Sequence, residues 1–142
     1  MKLKPALITI PVTTVVCIIL NGVFHVPVMG NFFDKNLAAF GASANKIAES
    51  NPAWQVATEL VWVSALFYLL TFTRPIKLSF SNAITGGMLM NASVSGTWNF
   101  INASLFSAFP KNIILPDMAF HILIVGPAAG MLIALLYNRY RQ

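Results

Sequence analysis

Four side chains able to hold a proton or a metal ion, His25, Glu59, Asp117 and His121, lie in or at the edge of strongly apolar stretches of this chain. Amides and hydroxyls surround them at helical spacing. Thr14, Cys17, Asn21 and His25 recur three and four residues apart, Gln55 and Glu59 are one turn apart, and Asp117 and His121 share a helical face. Gly87, Asn91, Ser95 and Asn99 form an i, i+4 row that Asn102 continues. Glu59 is the sharpest signal, because a carboxylate at the centre of a bilayer costs about 3 kcal/mol or more and must find company in protein or water. Two chemistries follow. The first is binding or exchange of a proton or small polar or ionic ligand, with Glu59, His25, Asn99, Asn102, His121 and Asp117 as the binding residues. The second is a metal site of His25, Glu59, Asp117 and His121, whose imidazoles and carboxylates are donors that a divalent ion accepts.

Each residue also has a plainer reading. Asp117, directly after Pro116, suits a capping position favoured by the helix dipole. Glu59 and the histidines can simply hydrogen-bond between helices. Gly87, Asn91 and Ser95 are helix-packing residues, since small and amide side chains draw helices together in lipid. Gly126, Gly130 and Ala134 form a small-x-x-x-small ridge that implies a close helix contact, within the chain or between copies. Cys17 is the single cysteine, so the chain has no internal disulfide and no redox pair.

The elements that position these residues follow from composition. Of 142 residues, 57% are hydrophobic and 9% charged, against about 25% charged in soluble domains. Mean hydropathy is +0.72. A soluble core of this size cannot hide so much apolar surface, whereas a bilayer can. A span takes about 20 helical residues, and four segments qualify, at about 5–26, 53–73, 81–108 and 117–137. The expected fold is all-α: one transmembrane domain over 1–142, an antiparallel four-helix bundle with both termini inside. The connection 30–51 is expected outside, with Phe33, Leu37 and Phe40 setting a short amphipathic surface helix in it, apolar face toward the lipid. Asn51-Pro52 reads as the start of the second segment, and Pro11 and Pro127 as kinks.

Orientation comes from basic residues. Lys2, Lys4, Arg74, Lys77, Arg139 and Arg141 fall on one side, six against the three of Lys35, Lys46 and Lys111, which places both termini in the cytoplasm. The net charge of +5 therefore reads as topology signalling, not as a nucleic-acid surface. The N-terminal apolar run is read as a retained helix and not as a cleaved signal. Tyr137 and Tyr140 read as an inner interfacial anchor, Trp54 as an outer one. At ~1.5 Å per residue, His25, Glu59, Asn102 and His121 sit roughly 6–9 Å inside the outer helix ends, with Asn99 one turn deeper and Asp117 at the mouth. That common layer implies a polar pocket in the outer half of the bundle.

Phosphate-binding glycine loops, H-E-x-x-H zinc motifs and nucleophile elbows are missing, and every Arg is at the inner boundary, so known enzyme classes are disfavoured and no cofactor is expected. Gly86-Gly87, then Thr97-Trp98-Asn99-Phe100-Ile101-Asn102, then Pro116-Asp117-Met118-Ala119-Phe120 resemble a family of predicted bacterial four-helix membrane proteins of unknown function. Its members pair T-aromatic-D-x-x-N on the third helix with D-x-A-W-G at the start of the fourth. The segment Phe32-Phe33-Asp34-Lys35-Asn36-Leu37 is similar to that family's aromatic-rich stretch. Asn99 stands where the family has Asp, and Phe120-His121 where it has Trp-Gly. The resemblance implies fold and membrane location, in a bacterial cytoplasmic membrane, and no activity. Binding or transport of a small polar or ionic ligand ranks first, a non-catalytic subunit docking a second copy or another membrane protein through the fourth helix second, and a metal-dependent membrane enzyme third.

Overall fold

The computed structural model describes residues 3–43, 52–73 and 76–141. Lys2, Lys46, Glu49, Asn51 and Arg74 lie outside the described residues, and with them the Asn51 cap and part of the basic-residue count. The described chain is helical, without strands. Helix α1 is Leu3–Val23 and passes into a π-helical turn, Phe24–Val28. Helix α2 is Gly30–Ser43, α3 Pro52–Thr71 and α4 Phe80–Leu105. A 3-10 turn, Lys111–Ile113, leads into α5, Ile114–Phe120, then a second π turn, His121–Val125, and α6, Gly126–Tyr140.

Three stretches are long and apolar enough to cross a membrane: Lys4–Val28, Ala53–Thr71 and Lys111–Tyr140. The third segment does form a long helix, α4 with 26 residues, but its amides, serines and glycines dilute it below the other three. The last stretch starts earlier than 117, so Asp117 lies inside the rod and not at its cap. Both π turns occur at prolines, Pro27 within the first and Pro127 two residues past the second. A proline ring crowds the carbonyl four residues back and donates no hydrogen bond, and a widened turn takes up the misfit.

Sidedness is inverted relative to a water-soluble helix. On α1 the exposed large apolar residues are Leu7, Val12, Val15, Ile19 and Val23, while Thr9, Thr13, Thr14, Cys17 and Asn21 are buried. On α4, Leu89, Trp98, Phe100 and Ile101 are exposed and Asn91, Ser95, Asn99 and Asn102 buried. Apolar surface turned outward is what acyl chains favour; amides turned inward find partners there.

Helix α6 is the central element, packing most extensively on α4 and next on α1. Gly87, Gly126 and Gly130 make the α4–α6 contact possible. A Cβ on Gly87 would stand 1.9 Å from the Gly126 carbonyl oxygen, and one on Gly130 1.9 Å from that of Ala83. The small-residue ridge is thus spent inside the chain, with Ala134 fully buried beside it. At the opposite end from the π turns, the Asn138 amide clamps the backbone of Leu78, accepting from its N–H at 2.8 Å and donating to its carbonyl at 3.0 Å. Tyr137 is buried against Phe67, whereas Trp54 is exposed.

The helix anticipated from Phe33, Leu37 and Phe40 is α2, but its apolar face does not meet lipid. Phe33 and Phe40 are buried against Phe109 and Ile113, with Leu37 and Phe24 packed at the edge of the same cluster. The Asn112 amide donates to Asn36 at the edge of that same face. Thus α2 covers the turn that leads into α5, beside the two π turns.

Candidate functional site

Asp117 is the centre of the polar interior. From α5 its Oδ2 accepts hydrogen bonds from Asn99 Nδ2 at 2.6 Å and Ser95 Oγ at 3.2 Å, both on α4. Its Oδ1 faces His25 Nε2 at 3.1 Å, across from the first π turn, and His121 Nδ1 at 3.5 Å. His121 Nδ1 donates to the Asp117 carbonyl at 2.8 Å. The i, i+4 row on α4 therefore divides its work: Gly87 touches α6, Asn91 donates to the Gly87 carbonyl at 3.3 Å, and Ser95 and Asn99 reach the carboxylate.

The His25 ring is held from both nitrogens. Nδ1 lies 3.0 Å from the Asn21 carbonyl oxygen, which only accepts, so Nδ1 carries a hydrogen. Nε2 then meets a carboxylate oxygen. Two lone pairs at 3.1 Å would repel, so one proton lies between Nε2 and Oδ1, on either the imidazole or the acid. His25 and Asp117 are thus within hydrogen-bond distance of each other.

Asn21 joins this group to a second one. Its side-chain Nδ2 donates to Glu59 Oε1 at 2.6 Å, and Trp62 Nε1 donates to Glu59 Oε2 at 2.6 Å. Glu59, buried on α3, is therefore engaged at both oxygens by neutral donors and not by either histidine. The path runs from Glu59 to the Asn21 amide, from the Asn21 carbonyl to His25, and on to Asp117, Asn99 and Ser95.

Aromatic rings close the cluster. Phe24 and Phe120 stack with centroids 3.8 Å apart, each the residue before a histidine, and the two imidazoles stand 5.9 Å apart. Phe33 from α2 lies against His25 at 4.8 Å. The stack pins two π turns together, and those turns set where the imidazoles project.

Of the residues expected to share a pocket, His25, Asp117, His121 and Asn99 come together, and Glu59 joins them through Asn21. Asn102 stays apart, donating to the Trp98 carbonyl of its own helix at 2.7 Å. A surface groove occurs on the opposite face of α4, lined by Ser93, Gly96, Thr97, Phe100, Ile101 and Ser104. The expected four-donor metal set is not assembled: Glu59 is taken by Asn21 and Trp62, and no group of three His, Cys, Asp or Glu among the described residues has the convergence an ion needs. Sequence reasoning missed Trp62, although it stands three residues after Glu59, and placed Ser95 only as packing. It also missed the paired Phe-His dipeptides, which are visible at 24–25 and 120–121.

Residues 6–134 match the family described as Predicted membrane protein (DUF2177). That span runs well beyond the short motifs from which the resemblance to an uncharacterised membrane family was read. No curated protein and no solved structure matches.

Proposed function

This chain belongs to the DUF2177 family of predicted membrane proteins, and we propose that it is a proton-exchanging membrane protein whose Asp117–His25 pair takes and gives up the coupling proton for binding or passage of a small polar or ionic ligand. The bilayer setting we assign is a bacterial cytoplasmic membrane with both termini inside. In this reading α4 is the fourth span of an antiparallel bundle. Its outward Leu89, Trp98, Phe100 and Ile101 and inward amides support that, because the same inversion characterises α1.

The observation that carries the proposal is the doubly held imidazole. A histidine fixed between a carbonyl and a carboxylate changes proton count without moving its ring, and ionisable residues within membrane segments mark ion paths and proton relays among other functional sites. The His25 side chain is itself 35% exposed and that of His121 beside it 18%, which leaves the pair an opening for proton entry.

Infrared difference spectra of the protein in lipid vesicles, taken across a pH series, test this. A carboxyl or imidazole band should appear in the wild type and be lost in both Asp117→Asn and His25→Ala. A wild-type spectrum with no protonation change assigned to Asp117 or His25 overturns the proposal.

A further inference from the structure

The buried side of α1 is polar for most of its length. Thr9, Thr13, Cys17 and Asn21 follow one another at four-residue intervals and end one turn from His25, with Thr14 alongside. Thr9, Thr13 and Cys17 have no exposed surface, Thr14 has 4% and Asn21 6%. Among the described residues, the buried side-chain atoms without a hydrogen-bond partner are Thr9 Oγ1, Thr13 Oγ1, Thr14 Oγ1 and Asn21 Oδ1. All are on this one helix.

Membrane helices ordinarily satisfy a hydroxyl by folding it back on the carbonyl four residues earlier. Elsewhere in this chain that happens: Thr71 donates to Phe67 at 2.7 Å, Thr58 to Trp54 at 2.9 Å and Ser93 to Leu89 at 3.0 Å. The three threonines of α1 decline that partner while being more deeply buried than Thr58 or Ser93. A buried hydroxyl left without a partner costs about 1–3 kcal/mol. Repetition of that cost along one face, ending at the amide that holds Glu59, requires a common partner.

We propose that the α1 row is a water-bridged proton route, running from the level of Thr9 to Asn21 and Glu59. It spans 13 residues, or ~18 Å of helix at about 1.5 Å per step. Waters donate to and accept from the Thr9, Thr13 and Thr14 hydroxyls, and the last of them donates to Asn21 Oδ1. A proton passes by hopping: each water forms one O–H bond as it breaks another, and the proton leaves the last water onto the Glu59 carboxylate. This deepens the proton-exchange reading and rests on it, since Asn21 holds Glu59 through its side chain and His25 through its backbone carbonyl.

Cys17, the only cysteine, sits in the middle of the row and gives a single S–H stretching band. Full-length protein in lipid vesicles is moved into D2O and the loss of that band followed by infrared absorption. Prompt exchange is expected, about ten-fold slower in Thr13→Val, the factor that one lost hydrogen bond provides, and fast again in Thr13→Ser. The amide band in the same spectra reports folding, and Thr9→Val replaces Thr13→Val if that variant does not fold. A wild-type S–H band that persists, or exchange unchanged by removing the hydroxyl, overturns the route. Neither result depends on whether Asp117 titrates, so the route and the proton-exchange reading fail separately.

Discussion

Glu59 accepts from two donors that differ in freedom. The Trp62 indole can only donate, whereas the Asn21 amide can turn over and present its unpartnered Oδ1. Glu59→Gln is therefore accommodated: its carbonyl takes the indole N–H and its NH2 donates to the turned Asn21. Glu59→Leu leaves both donors buried and unpaired, at about 1–3 kcal/mol each. Thermal unfolding in detergent should place Glu59→Gln close to wild type and Glu59→Leu well below it. Equal losses would mean that the charge, and not the hydrogen bonding, holds this site together. The Asp117 position differs from Glu59 in the same terms. Its acceptors are filled by Asn99 and Ser95 on one oxygen, which leaves the other to a group that can ionise. At position 99 the structure gives the amide a task an acid would do only when protonated: donating to Asp117.

Helices α4 and α6 meet backbone to backbone, and in lipid that closeness replaces the hydrophobic drive available in water. Gly87→Ala would press a methyl into the Gly126 carbonyl, where a Cβ stands at 1.9 Å, and this backbone contact cannot relax by a side-chain rotation. Overpacking of this type costs about 1–3 kcal/mol. Gly22→Ala is the matched control, because a Cβ there meets nothing within 4 Å. Reversible unfolding in mixed micelles should show Gly87→Ala destabilised and Gly22→Ala unchanged or improved. Separation of α4 from α6 also carries Ser95 and Asn99 away from Asp117, so the infrared band assigned to the pair should shift in Gly87→Ala and not in Gly22→Ala. Helix α2 was legible as an amphipathic helix from Phe33, Leu37 and Phe40. The surface it would cover was not legible, because Phe109 and Ile113 lie about seventy residues away in sequence and only folding brings them beneath it.

For the molecule as a whole, the open question is the count of spans, and parity answers it. Three apolar stretches alone would put the termini on opposite sides, whereas α4 as a fourth returns them to the same side. Reporter fusions at the two ends, one active only in the cytoplasm and one only outside, should both read cytoplasmic. Opposite readings would remove α4 from the membrane. Helix α4 is less apolar in part because of the Asn91, Ser95, Asn99 and Asn102 side chains, and these are turned inward.

Membrane residence, helix content and the polar rows followed from composition and period alone, because excess apolar surface and a 3.6-residue repeat are properties of the chain before it folds. The common depth of His25 and His121 was also readable, since depth is residue count times rise, whereas Asp117 was placed too shallow because the last apolar stretch begins at Lys111. Rotation about each helix axis was not. The π turns at Pro27 and Pro127 and the Phe24–Phe120 stack decided which way the imidazoles project. The glycine contact set which faces of α4 and α6 meet. Those choices gave Asp117 its histidine, gave Glu59 to Asn21 and Trp62, and left Asn102 on its own helix, because partner choice depends on angles between helices that no single helix encodes.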